Sequence, residues 1–192
     1  GSNAASALDT TAAGDLWDNG FGISKANKPG AASSSAGLVV YTLPTLADGV
    51  ALAASYDSGG ENYKGSTAYS AVYTGVEGLT LSYGQGDNAT VKNVDIDQRI
   101  VKASYAIGSF TLGASDNDYD HSTSTKDQGT RSYNVSYTLS DAISLSYGQE
   151  TIEKTGKTAD IDVQGVSASY TSGGMTLSVA QISADDVDHS AS

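Results

Sequence analysis

The chain has 192 residues, 39% of them apolar, with 22 glycines, 12 tyrosines, 2 prolines, no cysteine and a formal charge of −12. That apolar content suffices for one sizeable domain, and the low proline count argues against low-complexity disorder. The acid excess excludes the clustered Lys and Arg that a phosphate backbone requires, so nucleic acid is not a partner, and the lack of cysteine excludes disulfides and thiolate metal sites.

Residues 1–35 show no sustained periodicity and are rich in Gly, Ala, Ser and Asp. They read as a long loop or a trimmed leading segment, with Trp17 and Phe21 as possible anchors. From Leu38 onward the pattern changes to period-2 alternation, which is the signature of half-buried strands. Ten strands in five hairpins are expected, at roughly 38–43, 49–57, 66–75, 78–86, 97–106, 109–117, 130–139, 142–150, 161–171 and 174–183, so that residues 36–192 form one β region. No apolar run approaches the ~18 residues of a membrane helix, but the later strands are close to the ~9–11 residues that cross a bilayer at a tilt.

Tyr41, Tyr73, Tyr105, Tyr137 and Tyr170 fall 32, 32, 32 and 33 residues apart, each at the end of the first strand of a hairpin. A fixed period means one supersecondary unit repeated, here a hairpin. Its turns alternate in kind. Gly75-Val76-Glu77-Gly78, Ile107-Gly108, Leu139-Ser140-Asp141 and Ser172-Gly173-Gly174 are tight, whereas GQGDNATVKNVDIDQ, DNDYDHSTSTKDQGT and GQETIEKTGKTAD are long and polar. The expected fold is all-β, an antiparallel up-and-down meander with two different ends.

Strand alternation separates the two faces. One carries Tyr69, Ala71 and Tyr73, then Leu79, Leu81 and Tyr83, and continues through Val101, Leu112, Val135, Leu145, Val166 and Leu177 without a polar residue in the strand middles. The other is mostly Ser, Thr, Gly and Asn, with Ala68, Val72, Ile100 and Ala180 as apolar exceptions. A soluble β-sandwich or solenoid module would turn the apolar face inward; a transmembrane barrel would turn it out to lipid. Tyrosine position favours the barrel. Tyr73, Tyr105, Tyr137 and Tyr170 mark the short-turn end of the apolar face, and Tyr83 and Tyr147 the long-loop end, the two-girdle pattern of amphipathic rings at membrane–water boundaries. The polar face also lacks the Lys, Glu and Arg with which soluble sheets guard against edge pairing.

The segment SSAGLVVYTLPTLADGVALAASYD and the repeated SY…LSYGQ hairpins, together covering residues 36–183, resemble Gram-negative outer-membrane porins of the general-diffusion type. The resemblance implies a trimeric barrel of about sixteen strands, a water-filled channel for small hydrophilic solutes and ions, and a setting of lipid bilayer and lipopolysaccharide. Ten strands and a C-terminus VDHSAS without a terminal aromatic residue depart from that family's pattern, so a partial barrel, or a smaller closed one, is expected. The family's inward loop would correspond to residues ~5–30, making Asp9, Asp15 and Asp18 constriction candidates. By parity Lys102 and Asn134 point into the lumen, while Arg99, Arg131 and Lys64 near the long-loop rim are further pore-lining candidates. The alternating carboxylates Asp116, Asp118 and Asp120 could offer hard oxygen ligands to Ca²⁺ in a loop, without the Gly and distal Glu of an EF-hand; no other cofactor is expected. The two histidines, His121 and His189, stand in no recognisable catalytic pattern, so no enzyme is expected.

Overall fold

In a computed structural model of the chain, residues 38–44, 46–59, 65–87, 94–155 and 159–186 are described. Ten strands follow one another: β1 (Leu38–Thr42), β2 (Val50–Asp57), β3 (Ser66–Tyr73), β4 (Leu79–Asp87), β5 (Ile96–Ile107), β6 (Phe110–His121), β7 (Gln128–Ser140), β8 (Ile143–Lys154), β9 (Ile161–Ser172) and β10 (Met175–Asp185). They form one sheet in strict sequence order, every neighbouring pair antiparallel. Among the described residues β1 and β10 pair on one side only, so the sheet is a ten-stranded arc rather than a closed ring.

The short turns bring the strands back at once. Gly49 and Gly78 take positive φ of 72° and 76° there, a region that suits glycine and strains other residues. A Cβ on Gly78 would also strike the carbonyl oxygen of Ala106 in the adjoining strand, and one on Gly49 the backbone of Gly75. These two glycines therefore fix how closely consecutive hairpins approach at the short-turn end.

At the long-loop end the strands run further than their sequence suggests. Asp118–His121 lay beyond the expected strand end at 117; with Asp116 and Asn117 they form the last half of β6, in register with Ile96–Val101 of β5 and, through Tyr119, with Gln128–Arg131 of β7. Aspartate is a poor strand former. Here it is held by cross-strand partners: Arg99 Nε donates to Asp118 Oδ2 at 3.0 Å, and Arg131 Nε to Asp116 Oδ2 at 3.2 Å. Opposite charges facing each other across a ladder compensate for low intrinsic propensity.

Burial divides the wall by face. The apolar side chains are exposed: Leu81 at 41%, Leu112 at 46% and Leu145 at 45%. They do not meet in a sealed interior, which removes the sandwich reading. Left in water, a belt of this size would forgo on the order of tens of kcal/mol of burial; facing hydrocarbon it forgoes none. The side chains with core-like burial stand instead on the opposite face, among them Gln98, Ile100, Ser132 and Val163.

Candidate functional site

The outward face is built in three tiers. At the short-turn end Tyr73, Tyr105, Tyr137 and Tyr170 occupy equivalent positions on β3, β5, β7 and β9, and the Phe110 and Tyr137 rings lie 4.6 Å apart. The middle tier holds Leu81, Ala103, Leu112, Val135, Leu145, Ala168 and Leu177. At the long-loop end Tyr83 and Tyr147 are joined by Tyr56, Tyr69 and Tyr133, which sequence reasoning did not assign to the upper ring. Their hydroxyls leave the belt: Tyr83 donates to Gln85 Oε1 at 2.7 Å, and Tyr133 donates to Gln149 Oε1. A ring embedded in the belt with its hydroxyl bonded to the next polar row is the arrangement an interface between oil and water selects.

The inward face is a lattice of hydroxyls. Ser115 and Ser132 face each other with their Oγ atoms 2.6 Å apart, Ser144 and Ser169 at 2.7 Å, and Ser146 and Ser167 at 2.6 Å. Each pair is a directly opposed register pair. These small polar residues leave room beside the wall and present donors and acceptors to whatever occupies it. Lys102 and Asn134 belong to this face, both half-buried: Lys102 lies between Ser82 and Ser115, Asn134 between Gly113 and Gly148.

Arg99 and Arg131 do not belong to it. Arg99 shares parity with Val101 and Tyr105, and Arg131 with Tyr133 and Tyr137, so both stand on the outward face, 53% and 66% exposed. Their expected role as pore-lining residues is corrected: closeness to the long loops suggested the rim, but strand parity sets the side. There they form a ladder with the three acidic residues across β6 and β8. Arg99 bonds Asp118 through Nε and Nη2 and lies 3.8 Å from Asp116, while Arg131 bonds Asp116 and, at 2.8 Å, Glu153. The Asp116, Asp118 and Asp120 set therefore lies on a strand face, not in a loop, and two of its members are engaged by arginine. Among the described residues no three acidic side chains or histidines converge as a metal cage. Lys64, Asp9, Asp15 and Asp18 lie outside the described residues.

Beyond Ala68 and Ile100, which the sequence already placed on this face, sequence reasoning missed an apolar inner patch. Toward the long-loop end the inward face carries Ile152, Ile161 and Val163, packed with Ile182 and Ala184, and separately Ala68 with Ile100. All but Ala68 and Ile100 lie where the sequence was read as strand end or loop. The signal was present in β9, whose start reads Ile161-Asp162-Val163 with the opposite parity to Val166, Ala168 and Tyr170. By contrast Ser104, Thr111, Thr176 and Ser178, near the short-turn end, are exposed. The inner wall is thus open and hydroxylated below, and apolar and buried above.

Known proteins share this architecture. A porin refined at 1.8 Å matches with a TM-score of 0.63 at 18% identity, over 79% of this chain and 57% of its own. OmpF of Salmonella typhi, in complex with daunomycin, matches with a TM-score of 0.64 at 15% identity, over 76% and 53% respectively. An anion-selective porin from Comamonas acidovorans gives 0.61 at 16% identity, over 77% and 48%. The chain therefore spans about half the length of these structures. Among curated proteins none matches it by sequence. The model of the Gram-negative porin family matches residues 1–190. With that match, the outward belt and the hydroxylated inner face, the chain belongs to the Gram-negative porins, β-barrel proteins of the bacterial outer membrane.

Proposed function

We propose that this chain forms part of the wall of a water-filled channel that passes small hydrophilic solutes and ions by passive diffusion. One observation carries the reading: a one-layer sheet places its aliphatic belt and tyrosine rings on one face and its serine pairs on the other. A sheet edge exposed to hydrocarbon leaves backbone groups unpaired at several kcal/mol each, so the two edges of the arc meet further strands in a closed barrel. The barrel assembles as a homotrimer; one similar structure, OmpT of Vibrio cholerae, is described in a trimer form. It performs no covalent chemistry.

The buried, apolar upper part of the inner wall supports a narrowing at that level. Asp9, Asp15 and Asp18 are proposed as its acidic side and Lys102 as a basic group of the facing wall, giving a transverse field across the passage. Such a field orders water and disfavours apolar solutes. Asn134 lines the same passage.

Full-length protein reconstituted into a planar bilayer tests this. Discrete, ohmic current steps that scale with bulk salt are expected. A protein that is monodisperse without detergent and passes no current would defeat the proposal and restore a soluble β module.

A further inference from the structure

We propose that Lys102 and Glu150 form a two-point recognition site on the inner wall for a zwitterionic dipeptide, the lysine meeting its carboxylate and the glutamate its ammonium group. The proposal rests on the reading above that the serine-bearing face lines a water-filled passage, and it names a solute class for that passage. Charge on this face is sparse. Gln98, Tyr119 and Gln128 stand in one register row. On the short-turn side of that row the inward positions of the ten strands include two charged residues among those described, Lys102 on β5 and Glu150 on β8. They are opposite in sign and equal in height, for Lys102 pairs with Ser115, Ser115 with Ser132, and Ser132 with Glu150.

Their spacing selects the solute. Three ladder steps of ~4.8 Å set the two Cα atoms ~14 Å apart along the wall. An extended dipeptide at ~3.5 Å per residue spans ~7 Å from ammonium to carboxylate, which leaves ~3.5 Å at each end, the reach of an ion pair. A single amino acid meets one charge at a time, and an inorganic ion is attracted by one and repelled by the other. Between the two charges the wall is low and uncharged. The hydroxyls of Ser115 and Ser132 bond each other at 2.6 Å, and both residues are buried rather than projecting. In the row beneath, Gly113 and Gly148 flank Asn134 and leave space on either side of it. The Asn134 amide offers two donors and an acceptor, the complement of a peptide link. Lys102 and Glu150 are themselves half-buried, so their stems lie against the wall and lose less rotamer freedom when a solute binds. Because the pair is neutral as a unit, affinity comes from both contacts being made together.

Full-length protein in a planar bilayer tests this, with alanylalanine as probe and interruptions of the open-channel current as readout. Interruptions that grow with probe concentration are expected. Probes that keep one charge, N-acetyl-alanylalanine and alanylalanine amide, are expected to bind about fivefold more weakly, the fold-change of one lost contact of ~1 kcal/mol. Lys102→Met and Glu150→Gln should each weaken alanylalanine by a similar factor. The exchanged pair Lys102→Glu/Glu150→Lys should restore its binding, because the peptide then lies in the opposite sense between the same two points. Equal binding of the three probes, or an exchanged pair no better than either single variant, would overturn the proposal. Steady current that alanylalanine does not interrupt overturns it too and leaves the channel standing, whereas no current in the unmodified protein undermines both readings. Should the variants not insert, the three probes on unmodified protein decide.

Discussion

Replacing Leu112 or Leu145 by arginine is expected to destabilise the inserted protein by about 2–4 kcal/mol each, whereas Ser104→Arg is expected to be near neutral. The three side chains are similarly exposed, so solvent accessibility alone does not distinguish them. The difference lies in which solvent each meets. Leu112 opposes Tyr105 and Val135, and Leu145 opposes Tyr137 and Ala168, all within the belt. An arginine there must carry its charge into hydrocarbon or bend toward a boundary two residues away along the strand. Ser104 opposes Thr80 and Gly113 on the inner face, where an arginine enters water. Urea titration of vesicle-embedded protein, read from the folded and unfolded bands in unheated gels, measures the difference. Equal costs at the three positions would mean that the two faces share one environment.

Lys102→Glu is the second large effect, and it falls on ion selectivity rather than on stability. The side chain lies on the inner wall, and the substitution changes its charge by two units. At ~8 Å in water each unit acts on a passing monovalent ion with ~0.5 kcal/mol, so the swap favours a cation by ~1 kcal/mol and disfavours an anion by ~1 kcal/mol, roughly thirtyfold in the cation-to-anion permeability ratio before salt screening. Reversal potentials across a salt gradient report this ratio, and the shift toward cations should shrink as ionic strength rises. An unchanged potential at low salt would remove Lys102 from the conducting path.

Much of the fold was legible because a one-layer wall imposes period 2 on the strands, and through their middles the two faces differ sharply in polarity. The tyrosines at the short turns, the aliphatic middles and the serine pairs follow from parity alone. Lys102 and Asn134 were placed on the inner side by that rule, and the structure puts them there. Arg99 and Arg131 were assigned to the rim from their nearness to the loops, although their parity with Val101 and Tyr133 already sent them outward. The upper halves of β6 and β8 were not legible. Asp116, Asp118 and Glu153 are unfavourable strand residues taken singly, and only pairing with Arg99 and Arg131, set by register, makes them strand. The inner patch of Ile152, Ile161 and Val163 was hidden for a related reason. It lies past the point where the outward face has become polar, so the alternation there reverses its usual meaning.

The opposed faces of the wall can be read residue by residue, because the chain has no cysteine and accepts single-cysteine spin labels without a background. Labels at positions 143 to 147 along β8, in bilayer-embedded protein, should alternate strictly. Positions 143, 145 and 147 should collide with dissolved oxygen from the lipid, and positions 144 and 146 with a water-soluble nickel chelate. Labels at 143, 145 and 147 shielded from both reagents, or reached by the chelate in preference to oxygen, would contradict the account.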